Sequence, residues 1–194
     1  MLTTVAEVEV FLGLTAPGAA VETVLDAMID AAQKAMEGPA GAGRHLETAT
    51  VTEIIDGAGG HDIWLNEPAQ SITSIHESSD QTWTAATLIS SDDYIDHSGR
   101  RACRVERPDS VWLNCPSGVR IIYTAGLAAT VPDEIKFACW VQVAKLYSEW
   151  QVAKQGLNVL DSQAVEGWTQ KFAAHRGLDP YVADVMKRYR PARL

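Results

Sequence analysis

The sequence predicts an α+β protein in which a helical bundle is interrupted by an inserted β-rich module. Three observations carry that reading. Apolar residues recur at helical spacing at both ends of the chain, the middle turns to short runs rich in Val, Ile, Thr and Trp divided by turn dipeptides, and glycines mark both transitions. The bundle is expected over residues 1–43 and 127–194, the β module over 44–126, and a basic docking tail over 187–194.

The first helix is expected over 3–14, where Val5, Val8, Phe11 and Leu12 share a face and Gly13 and Pro17-Gly18 end the pattern. A second, over 20–36, gathers Val21, Val24, Leu25, Met28, Ile29 and Ala32 on one side and Glu22, Asp26, Asp30 and Lys34 on the other. The glycines and proline between Gly38 and Gly43 then stop regular structure and read as a flexible linker. Strands are expected at 48–55, 61–65, 72–77, 102–106, 111–114 and 119–124, with Asp56-Gly57 as a hairpin turn. Pro132, Asp133 and Glu134 suit the first turn of a helix, where a missing N–H and negative charge are both favourable, and this helix is expected to reach Gln155. Between Ile135 and Ala153 only Lys136, Lys145 and Glu149 are charged, so the helix needs cover on more than one side. A polar stretch follows to Gly177, and Asp179-Pro180 opens a last helix with Leu178, Tyr181, Val182, Val185, Met186 and Tyr189 on one stripe.

The 194 residues are 46% hydrophobic and 21% charged with a net charge of −9, ordinary values for a globular chain. No window reaches the roughly 20 apolar residues of a membrane span, and the opening MLTTVAEVEV lacks the basic and apolar regions of a signal peptide. A soluble protein made in a cytosol, without a membrane partner, is expected. The charge is unevenly spread: residues 1–99 carry 16 acidic and two basic groups, a balance of −14, against +5 for residues 100–194. No Lys or Arg occurs between residues 45 and 99, so that stretch cannot grip a phosphate backbone. Cys103, Cys115 and Cys139 lack paired spacing, which argues against a disulfide framework or zinc knuckle; they are expected reduced and buried.

Catalytic motifs fail. Gly57, Gly59 and Gly60 lack the third glycine of a dinucleotide loop, and no P-loop, nucleophile elbow, zinc-helix or EF-hand pattern occurs, so neither a cofactor nor an enzymatic activity is expected. Asp92, Asp93, Asp96 and His97 could in principle ligate a divalent cation, but a solvated loop or edge strand suits them better. His45, His61, His76 and His175 have no ligand spacing. Arg100, Arg101, Arg104 and Arg107 read either as a partner-facing strip or, preferred because strand alternation splits them between faces, as charge protecting an exposed edge strand. Trp64, Trp83 and Trp112 fall in the β module and Trp140, Trp150 and Trp168 in the helical part; Trp140, Tyr147 and Trp150 are the candidates for a subunit interface on the over-apolar helix. Lys187, Arg188, Tyr189, Arg190, Pro191 and Arg193 are expected after the last helical turn. They suit either a solvated terminus or a docking peptide.

An ordered set of motifs resembles one family. It comprises Ala31-Ala32 on an early helix, Gly43-Arg44-His45-Leu46, the alternating Thr48, Thr50 and Thr52, Ile63-Trp64-Leu65, Glu67-Pro68, Ser71-Ile72-Thr73-Ser74-Ile75 and Tyr94. It continues with Val119-Arg120-Ile121-Ile122-Tyr123-Thr124-Ala125-Gly126, Val131-Pro132-Asp133-Glu134-Ile135, and Tyr189-Arg190-Pro191. In that order these are similar to the head–tail connector adaptors, or head-completion proteins, of tailed bacteriophages and gene transfer agents. The resemblance implies a viral structural protein of the virion's head–tail interface, made in a bacterial host. It implies a dodecameric ring below the capsid portal, the C-terminal segment docked into the portal, a stopper or tail protein on the other side, and double-stranded DNA in the channel without specific binding. The rival readings are a stopper or tail-terminator protein of the same virion and, less favoured, a divalent-metal enzyme built on Asp92 to His97. On the adaptor reading, removing residues 187–194 is expected to leave a folded protein that no longer binds the portal.

Overall fold

The computed structural model describes residues 2–97, 103–127, 131–154, 162–165, 168–171 and 177–191. The protein has an α+β fold, and its chain divides into two compact units, Met1–Gly43 with Val131–Arg190 and Arg44–Thr130 with Pro191–Leu194.

The first unit is helical. Helix α1, Val5–Leu12, starts from a capping box in which Glu7 N donates to the Thr4 hydroxyl at 3.3 Å and Thr4 N donates to the Glu7 carboxylate at 2.9 Å. Helix α2, Ala19–Glu37, buries Leu25, Ile29, Ala32 and Met36, three or four residues apart, and leaves Glu22, Asp26 and Asp30 exposed on the opposite side. Helix α3, Asp133–Lys154, buries Ile135, Ala138, Cys139, Gln142 and Val143. The buried amide oxygen of Gln142 accepts from Asp179 N at 2.8 Å, and Asp179 caps helix α4, Pro180–Tyr189, by accepting from Tyr181 N at 2.9 Å. Helix α4 buries Val182, Val185 and Met186. Tyr181, expected on that stripe, stays 42% exposed at its margin. Between α3 and α4 a two-stranded antiparallel ladder occupies part of the stretch expected to be merely polar: Ser162–Val165 pairs with Trp168–Lys171.

The second unit holds two antiparallel sheets. Strands β1 (Ala49–Gly57), β3 (Ala69–Glu77) and β6 (Cys115–Ala125) form one in the order β1-β6-β3; β2 (Asp62–Trp64), β4 (Ile95–Asp96) and β5 (Arg104–Glu106) form the other in the order β2-β5-β4. Numbered onward, the ladder strands of the first unit are β7 and β8. The alternation in β6 sets the core: Val119, Ile121, Tyr123 and Ala125 point inward and pack with Ile63, Leu65, Ile75, Val105 and Trp112.

Several expectations change here. Asp56-Gly57 makes no hairpin, because β1 pairs with β6 (Gly57 against Cys115) and not with β2. Gly57 is needed for another reason: a Cβ there would sit 1.7 Å from the Leu113 carbonyl oxygen. Residues 111–114 form no strand, since Trp112 turns inward and bonds Gly60 O through its backbone N–H at 2.8 Å and His61 O through its indole N–H at 2.9 Å. β5 occupies the middle of its sheet, so Arg104 does not guard an edge. All three cysteines are free, but Cys139 alone is buried; Cys103 and Cys115 are half-buried.

Candidate functional site

Among the described residues no group of three His, Cys, Asp or Glu side chains is placed to hold a metal ion. Asp92 and Asp93 lie in a short 3-10 turn, Ser91–Asp93, and His97 turns instead to Glu106, Nε2 to Oε2 at 3.1 Å. The remaining described histidines also bond locally, His45 to Glu67, His61 to the Arg107 carbonyl and His76 to the Thr84 carbonyl; His175 lies outside the described residues. Among the described residues no helix is long and apolar enough to cross a membrane.

Each described arginine of the β unit contacts a neighbour within the unit. Arg104 reaches Asp62 through Nε at 2.8 Å and Glu106 through Nη2 at 2.7 Å, because the β2-β5-β4 register sets these residues side by side. Arg107 pairs with Glu77 at 3.0 Å and stacks 5.0 Å from the Trp112 ring, which holds the loop before β6 in place. Arg120 lies 5.1 Å from the Trp83 ring. Arg44 is buried and donates to the Gly126 carbonyl at 2.9 Å. Beside it, burial pushes the Cys103 thiol pKa up, and burial together with the hydrogen bond donated to Glu53 raises that of the Tyr123 phenol. Arg100 and Arg101 lie outside the described residues.

On the helical unit, aromatic rings gather at the surface. Phe137 on α3 stands between Phe11 of α1 and Tyr181 of α4, with ring centroids 5.8 Å away on each side and both pairs edge-to-face. Trp140, one turn on, lies 5.6 Å from Phe11 and anchors its indole N–H on the Thr3 hydroxyl at 2.6 Å. Phe11, Phe137 and Tyr181 remain 38%, 42% and 42% exposed. Trp140 was expected at an interface and is part of this face; the other three rings were not singled out. Phe137 was detectable, since it falls off the Ile135, Ala138, Cys139, Gln142 and Val143 stripe and a helical count alone places it outside. Tyr147 and Trp150 form a second group farther along α3, rings 5.6 Å apart, with Lys154 Nζ 5.2 Å from the indole and Gln151 donating to the Tyr147 oxygen.

The basic end begins earlier than a tail. Lys187, Arg188 and Tyr189 complete the last turn of α4 and do not follow it. Arg188 reaches Glu134 at 2.5 Å and Asp184 at 3.6 Å, and Tyr189 donates to Glu134 at 3.2 Å. Burial raises the Tyr189 phenol pKa, with the Glu134 hydrogen bond acting in the same direction. Arg190 caps α4 and donates to the carbonyls of Pro39, Ala40 and Gly41. Only Lys187 projects as a described cation of this segment without such a contact; Pro191 follows, and Arg193 lies outside the described residues. Deleting residues 187–194 therefore removes helix and packing as well as a terminus.

No family model matches this chain, and no curated protein does. Among solved structures, a chain from the neck of an empty gene transfer agent particle computed with C6 symmetry superposes with a TM-score of 0.65 at 19% identity, covering 100% of this chain and 91% of that one. A chain from the virion of a native gene transfer agent particle gives 0.67 at 19%, again over 100% and 91%. A chain from the neck of a native particle computed with C12 symmetry gives 0.57 at 18%, over 98% and 89%. This protein therefore shares the end-to-end fold of chains that occur in gene transfer agent particles, two of them from the neck.

Proposed function

We propose that this chain is a structural, non-catalytic component of a virion neck. In this reading it is an adaptor whose copies form a dodecameric ring between the capsid portal and the stopper or tail proteins, around the channel through which double-stranded DNA passes. The observation that carries the reading is the end-to-end likeness of fold to chains solved in the necks of gene transfer agent particles. The C6 and C12 symmetries in which those necks were computed suit a ring of copies.

Two features of the chain support it. A ring needs each copy to cover part of the next, and the Phe11, Phe137, Tyr181 and Trp140 face is built from the residue types that dominate such contacts. In this proposal that face meets a second copy, with Tyr147 and Trp150 extending it along α3. A channel for DNA must also avoid holding its cargo. Among the described residues of the β unit, Arg44, Arg104, Arg107 and Arg120 each contact a neighbour, while Asp56, Asp80, Asp92, Asp93 and Asp109 are exposed. Such a surface releases few counterions from a duplex and passes it without gripping.

Electron microscopy of particles carrying this protein tests the proposal. The expected result is density for this chain in a ring directly below the portal. A ring one level farther from the portal makes the chain a stopper, and its absence from the particle overturns the proposal.

A further inference from the structure

The Gly38–Gly43 stretch, a flexible linker by composition, is folded on itself into a small carbonyl receptor. Gly38 N donates to Lys34 O at 2.9 Å and closes α2. Gly41 N and Gly43 N both donate to Gly38 O, at 2.9 and 3.1 Å, and Ala42 N reaches back to Met36 O at 2.6 Å. The turn is so close that a Cβ on Gly41 would lie 2.0 Å from the Met36 carbonyl oxygen. With those amides turned inward, the carbonyls of Pro39, Ala40 and Gly41 converge on one guanidinium. Arg190 Nε donates to Gly41 O at 2.7 Å, and its Nη2 donates to Ala40 O at 2.8 Å and to Pro39 O at 3.3 Å. A planar fork of fixed donors suits this set of acceptors, whereas an ammonium on a flexible stem does not reproduce the geometry.

The position of this contact in the chain gives it meaning. Arg190 is the C-cap of α4, with extended backbone at φ −62° and ψ 137°, so the chain leaves the helix at the residue the receptor holds. The turn before it is also tied down, by Arg188 and Tyr189 on Glu134. Three neighbouring residues of the basic end thus spend their polar groups on their own unit.

We propose that the Gly38–Gly43 loop is a receptor for the chain's own Arg190, and that this latch sets where the terminal residues leave the helical unit. Arg190 is then a positioning residue for docking, not a portal contact. The inference rests on the docking role proposed above in that the latch fixes Arg190 as the anchor from which the docking segment starts, which lowers the ordering cost of binding. Contact with the portal is left to Lys187 and the residues beyond Arg190.

A peptide comparison separates positioning from contact. Binding to the portal encoded with this chain is measured for the full chain and for a synthetic peptide of residues 187–194, each as wild type and as Arg190→Ala. The peptide has no receptor loop. The latch therefore predicts that Arg190→Ala weakens the full chain about tenfold or more, that Arg190→Lys recovers only part of the loss, and that the two peptides bind alike. Equal loss in peptide and full chain makes Arg190 a portal contact and overturns the proposal, as does full recovery by lysine. Hydrogen exchange on the full chain reads the latch without any portal. Faster exchange at the last turn of α4 in Arg190→Ala, with α1 unchanged, is expected, and unchanged exchange overturns the latch. A wild-type chain and peptide that both fail to bind the portal overturn the docking reading, and the latch is then decided by the exchange result alone.

Discussion

In the β unit the described arginines lie against partners: Arg104 pairs with Asp62 and Glu106, Arg107 with Glu77 beside the Trp112 ring, Arg120 stacks near the Trp83 ring, and Arg44 donates to a buried carbonyl. In the helical unit aromatic rings cluster at the surface, with Phe137 edge to face against both Phe11 and Tyr181, whereas the exposed apolar side chains of the β unit, such as Ile54, Leu88 and Val111, are mostly aliphatic. On the function proposed above, the contrast would let one chain assemble and still let a polyanion pass. Apolar surface with aromatic anchors gains free energy when a partner removes it from water, whereas arginines already engaged have little left to offer a phosphate.

The contrast can be broken most forcefully at Trp112, which fills the β core and supports Arg107. Trp112→Ala is expected to cost about 3–5 kcal/mol, read as a lowered denaturation midpoint. If the loss is below about 1 kcal/mol, the ring is not what holds that loop. On the other side of the comparison, Phe137→Ser should leave the isolated chain folded at a cost of about 1–3 kcal/mol, because the ring loses its edge-to-face partners, yet weaken self-association tenfold or more by analytical ultracentrifugation at a concentration where the wild type self-associates. A variant that assembles normally removes the aromatic face from the interface.

A smaller effect is expected at Arg104. The ion pairs it makes are partly exposed, so Arg104→Gln should change stability by no more than about 1 kcal/mol, while affinity for duplex DNA at low salt stays as weak as wild type. A loss of DNA affinity would mean that Arg104 was available to phosphate and would contradict the inventory of occupied cations. The smallest effect concerns pH. The backbone hydrogen bond from Thr4, helped by the Thr3 hydroxyl, holds the Glu7 carboxyl below its ordinary value of 4.5. A depressed carboxylate contributes stability that is present above the unfolded pKa and lost as pH falls through the folded one. The difference in Tm between wild type and Glu7→Gln should therefore be largest near neutrality and shrink below about pH 4.5. A difference that grows on acidification would reverse the sign and sink the assignment.

Much of the fold was legible because it rests on local pattern. The periodic stripe of α2, Pro180 after its Asp179 cap and the alternation of Val119, Ile121 and Tyr123 all express short-range physics. Strand pairing was less legible. Asp56-Gly57 looked like a hairpin turn, but β1 pairs with β6, some 60 residues away, where loop chemistry has no say. The stretch at 111–114 has strand composition, and the indole of Trp112 took it into the core instead.

The candidate surfaces divide in the same way. The sequence by itself determined the α+β class, the helical positions, the charge asymmetry and the concentration of basic residues at the end of the chain, since these depend on composition and on neighbours within a turn or two. Only the tertiary structure decided which of those residues have their polar groups engaged. It set Phe137 between rings from two other helices, placed Arg104 between two carboxylates, and folded a glycine-rich linker into a receptor for an arginine about 150 residues away. The physical reason is that a side chain's availability is set by what lies within about 4 Å of it, and that neighbour is as often distant in sequence as adjacent.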